Sequence, residues 1–116
     1  SSASGDERIT LPAWEGDEGV GVVGAFRTEE HPQVVDLVSM WTRPSVRRSG
    51  IGVALVQGVV DWSRTFGAER IELWVVRGNE PAQRLYERMG FHVTDDHQPH
   101  PNDPCAQEVR MVLPLV

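Results

Sequence analysis

The chain has 116 residues, enough for one domain with a single core and little to spare. Its net charge of -6 argues against broad nucleic-acid binding, and no apolar run approaches the ~18 residues that cross a bilayer, so neither nucleic acid nor membrane is an expected partner. A single cysteine, Cys105, excludes an internal disulfide and points to a reducing, cytoplasmic setting; no basic, apolar signal segment precedes the first strand, and residues 1–6 read as the flexible terminus of a single domain spanning 1–116.

In chain order, residues 7–13 read as a short strand that Pro12 confines to a sheet edge. Asp17-Glu18-Gly19 reads as a turn. Val20–Arg27 and Val34–Trp41 form an antiparallel hairpin, broken between them at Glu29-Glu30-His31-Pro32. A cationic turn follows, where Arg43, Arg47 and Arg48 make a positive island on an acidic chain. From residue 50 to 66, Ile51, Leu55, Val59, Trp62 and Phe66 share one face of a helix, which Gly67 stops. Ile71–Val76 is a buried-type strand interrupted only by Glu72. Strand, helix and strand in this order make a βαβ unit with a parallel pair and a right-handed crossover. Asn79-Glu80-Pro81 starts a second helix, with Ala82, Leu85, Tyr86 and Met89 on its apolar face and Gly90 at its end. Phe91–Val93 begins a strand, residues 94–106 with their three prolines read as a loop, and residues 107–115 form the last strand. The expected fold is α/β, a mixed and mainly antiparallel sheet of about six strands with two main helices and a parallel pair at its centre.

Chemistry concentrates at the start of the first helix. Backbone N–H groups there have no partner inside the helix, and the dipole end is positive. Gly50 and Gly52 remove side chains that would hold an anion away, so a phosphate can reach those N–H groups.

Arg47-x-x-Gly50-x-Gly52 after a strand resembles the acyl-CoA pyrophosphate loop of the GNAT superfamily of N-acetyltransferases. A second block, Ile71–Phe91, resembles that family's later strand and helix, with Asn79, Ala82, Leu85, Tyr86, Gly90 and Phe91 in the expected places. The resemblance covers about residues 17–115. It leaves out the strand and two helices with which such domains usually begin. That departure implies an uncovered sheet face or edge, and a homodimer is expected from it.

The resemblance implies that the two parallel strands splay and that acetyl-CoA, the co-substrate, lies in the opening. Its pantetheine arm would pair with backbone near Met40, Trp41 and Thr42. Its pyrophosphate would rest on the amides of Arg47, Arg48, Ser49, Gly50, Ile51 and Gly52. Asn79, Ala82 and Tyr86 are the remaining cofactor positions, and the Tyr86 hydroxyl would protonate the leaving thiolate as general acid. An oxyanion donor is implied near Met40 or Trp41. The general base stays open between Glu72 and Asp36, either of which could equally be a solvated rim carboxylate; Ser39 could hold a water. Trp62 fits the core, whereas Trp41 and Trp74 lie at or near the opening. No metal is expected: His92, Asp95, Asp96, His97 and His100 match no established ligand spacing. Cys105 is assigned no role. The implied reaction moves an acetyl group to a primary amine, small-molecule or peptide, by direct attack. The alternatives are acylation of a protein N-terminus or lysine, and a catalytically silent module that binds acyl-CoA.

Overall fold

The computed structural model describes residues 7–46, 50–100 and 102–116. Six strands and two α-helices follow in the order β1 (Glu7–Glu15), β2 (Glu18–Arg27), β3 (Val34–Thr42), α1 (Ile51–Thr65), β4 (Arg70–Val76), α2 (Glu80–Met89), β5 (His92–His100) and β6 (Asp103–Pro114). They form one sheet with the spatial order β1-β2-β3-β4-β6-β5. Pro12 does sit on an edge strand, β1. The β1–β2 turn falls earlier than expected, at Gly16 and Asp17, so that Glu18 and Gly19 already belong to β2.

Period-two alternation sets the two faces of the sheet. Val23 and Ala25 on β2, Val35 and Leu37 on β3, Ile71, Leu73 and Val75 on β4, and Val109 and Met111 on β6 are buried on the face that the helices cover. The apolar stripe of α1 answers them with Leu55, Val56, Val59 and Val60. Among the described residues no helix covers the opposite, outer face. It carries Asp36, Val38, Glu72, Trp74, Arg110 and Val112, the alternate positions of the same strands.

Residues 94–106 are not a loop. They build most of the β5–β6 hairpin, with His97 opposite Val109 and Pro99 opposite Gln107. Prolines and charged side chains hid these strands, because β5 is the free edge of the sheet and an edge tolerates both. The register of β5 slips between Val93 and His97 and again between Pro99 and His100. The His/Asp-rich stretch is therefore edge strand. Among the described residues no three His, Cys, Asp or Glu side chains converge on a metal-sized point.

Candidate active site

β3 and β4 start as parallel partners and then part. The pairs Val34–Arg70, Val35–Ile71 and Asp36–Glu72 are in register, and no pair follows them. The remaining six residues of β3, Leu37–Thr42, still pair with β2, which leaves their other edge unbonded by protein. A bulge bends this free segment. One residue of β2, Val23, faces two of β3, Ser39 and Met40, between the pairs Gly24–Val38 and Val22–Trp41, and Ser39 at the bulge takes φ 54°, a left-handed value that a non-glycine residue rarely holds. One result is that Met40 turns inward onto the core while Trp41 stays half exposed.

The split opens into a cleft of about 1090 Å³ between the strands and the two helices. Of the residues singled out from sequence, Met40, Trp41, Thr42, Gly50, Gly52, Asn79, Ala82 and Tyr86 all line it. Ile51 does not; it packs against the core. Arg47, Arg48 and Ser49 lie outside the described residues. Arg43 is not free to join a cationic island. Its guanidinium is paired with Glu18, which the β2–β3 register brings alongside the end of β3.

The start of α1 faces this cleft without a side-chain cap. Gly50 is its N-cap, at φ 92° with open space where a Cβ would stand. Such a backbone favours glycine, and the first-turn amides are left without intrahelical partners. Gly52 serves a different purpose. A Cβ there would lie 3.1 Å from Leu85 Cδ2 and 3.5 Å from Met40 Cε, so its bareness lets α2 and β3 close on α1.

Asn79 caps α2, its Oδ1 accepting weakly from the Ala82 amide at 3.4 Å. It is thus both cap and cleft wall. Tyr86, two turns on, is buried, with its ring edge-to-face against Phe91 at 5.6 Å. Among the described residues its hydroxyl has no hydrogen-bond partner. Burial pushes the phenol up to about 12, so it remains protonated throughout the neutral range.

The two carboxylate candidates stand side by side on the outer face, at the last paired position before the strands part, and neither lines the cleft. Their surroundings differ. Glu72 receives Arg70 Nε at 2.6 Å and Arg110 Nη1 at 3.4 Å; Arg110 also reaches Asp96 at 3.3 Å and lies 4.9 Å over the Trp74 ring. Asp36 makes no ion pair among the described residues. Burial, and then the neighbouring Glu72, hold its carboxyl above the ordinary range, with Arg110, His31 and Arg70 opposing. Glu72 is held by two arginines, whereas Asp36 has no ion-pair partner among the described residues.

Arg84, Arg88 and Glu108 also border the cleft and were not picked out from sequence. Alternation along β6, with Val109 inward, was the signal that could have placed Glu108 on the outer face.

A profile of the acetyltransferase (GNAT) family matches residues 2–91. Mycothiol acetyltransferase of Corynebacterium glutamicum is 32% identical over 85 residues, covering 72% of this chain and 28% of that protein. The uncharacterized N-acetyltransferase YvbK of Bacillus subtilis is 31% identical over 81 residues, 70% of this chain and 51% of that protein. The chain therefore matches about half or less of the length of these two relatives. A Bacillus subtilis acetyltransferase solved in complex with CoA superimposes with a TM-score of 0.74 at 26% identity, covering 92% of this chain and 76% of that one.

Proposed function

We infer that this chain, which belongs to the acetyltransferase (GNAT) family, transfers an acetyl group from acetyl-CoA to a primary amine by direct attack. The observation that carries this reading is the parted β3–β4 pair, with an uncapped helix start at its mouth and a protonated phenol on its wall. The free edge of β3 can pair with the pantetheine amides as an added strand would. The first-turn amides of α1 can receive the pyrophosphate. The CoA bound in the structural relative supports the same co-substrate here.

In the transfer, a neutral amine attacks the thioester carbonyl. The C–N bond forms, the C–S bond breaks, and its electron pair leaves on sulfur. Tyr86 O–H points its proton to that sulfur. A phenol at about 12 facing a thiol near ~8.5 cannot give the proton up fully without an uphill cost of about 5 kcal/mol. Its role is then a hydrogen bond that strengthens as thiolate charge develops. The proton shed by the amine passes to Asp36 through water held near Ser39, which lines the cleft. Glu72 keeps the arginines in place and is not the base.

The experiment is release of free thiol from acetyl-CoA with a panel of amines. Turnover should appear with some amines and fall about 10²-fold in Tyr86→Phe. Tight acetyl-CoA binding without turnover on small amines, N-terminal peptides or lysine peptides would instead identify a silent acyl-CoA-binding module. Turnover confined to the peptides would identify a protein acetyltransferase. A cytoplasmic setting and a homodimer belong to the same proposal. The single cysteine is free, and the outer sheet face leaves Val38 exposed.

A further inference from the structure

Charge is divided across the cleft. On the α2 wall stand Arg88 and Arg84, the latter paired with Glu80 at 3.1 Å. On the strand wall stands Glu108, the one carboxylate among the described residues that line the cleft. The other outer-face acids are accounted for. Glu72 and Asp96 are held by arginines, and Asp36 sits at the apex of the split. Glu108 is held only by a neutral group, the Gln98 amide, which donates to Oε1 at 3.0 Å. Among the described residues it has no ion-pair partner. It lies directly opposite Val76, two positions along β4 from Trp74, or roughly 7 Å at the rise of a strand. From Trp74 to Glu108 the wall is thus the indole and the Val76 side chain, ending in a half-buried carboxylate; the Arg110 guanidinium that lies over the indole is itself held by Glu72 and Asp96.

We propose that the acceptor is an amine carrying a second cationic group, an α,ω-diamine or a longer polyamine, whose remote ammonium is bound by Glu108 while its methylene chain lies along Trp74 and Val76. This rests on the amine-acetyltransferase reading above and narrows its substrate class. The reacting amine must shed its proton, but the remote one stays charged, and a carboxylate without a resident cation is where it gains most. A monoamine lies along Trp74 and Val76 and leaves Glu108 unanswered.

The test titrates CoA-saturated protein with 1,4-diaminobutane and with n-butylamine by calorimetry, and compares kcat/KM for the same pair. The diamine is expected to bind about tenfold tighter, one charge-assisted hydrogen bond net of water, and to keep that ratio in kcat/KM. The preference should shrink as salt rises. Glu108→Gln preserves the shape and the Gln98 contact, and should bring the ratio close to that expected from two equivalent ends; Glu108→Ala should do the same. Equal binding of the two amines, or a preference that survives both substitutions, overturns the proposal. The binding arm does not need turnover. A diamine preference without thiol release would therefore sink the acetyltransferase reading while leaving the Glu108 site standing.

Discussion

Tyr86 is the chain's single tyrosine, so tyrosinate absorbance reports on it alone. With the phenol near 12, absorbance should be almost absent at pH 10; half-ionisation at that pH would show the hydroxyl to be solvated. The sign for stability follows from the same shift. The folded value lies above the unfolded value of about 10, so the contribution is fully present below pH 10 and is lost as pH rises towards 12. A shift of that size corresponds to about 2–3 kcal/mol, read as alkaline loss of melting temperature that Tyr86→Phe should lack. Asp36 is also raised, so its ionised form costs stability at neutral pH. Asp36→Asn should melt higher than the parent at pH 7 while kcat/KM falls. In the parent, the acid limb of the rate profile should lie above the ordinary carboxylate range. A variant that is both less stable and fully active would remove Asp36 from the role of base.

At the scale of elements, the parting of β3 from β4 depends on how α1 and α2 are seated. Gly52 allows close approach of Leu85, and a branched side chain there overpacks the contact. Gly52→Val should cost about 1–3 kcal/mol in urea unfolding and raise the KM for acetyl-CoA by moving α2 off the cleft. Gly50 differs, because space is open around it and the constraint is φ 92°. Gly50→Glu places a negative charge at the helix mouth and should abolish CoA binding with a stability loss of only about 1–2 kcal/mol. Retained affinity would remove the phosphate from that site.

At the scale of the whole molecule, the βαβ unit, both helices and the α/β class were legible because each rests on local periodicity, as in Ile51–Thr65 and Arg70–Val76. Legible too, by resemblance, were the parted strands. What stayed hidden depends on distant partners. Glu18 takes Arg43 from 25 residues away, and Arg110 on β6 claims Glu72 on β4 and Asp96 on β5. The β5–β6 hairpin was hidden because residues around Pro99 and Pro104 are strand only by virtue of pairing at an edge. The outer face, bare of helices among the described residues, should bring two copies together. Sedimentation at micromolar concentration should show a dimer, and a monomer there would remove that expectation.

Amide hydrogen exchange with and without saturating acetyl-CoA tests most directly whether the thioester binds along the unpaired edge of β3 and on the start of α1. Protection should rise in Val38–Thr42 and in Ile51–Val53 and change little on the outer strands β1 and β5. Unchanged exchange in both segments at saturation, or protection concentrated elsewhere, would contradict this account of the site.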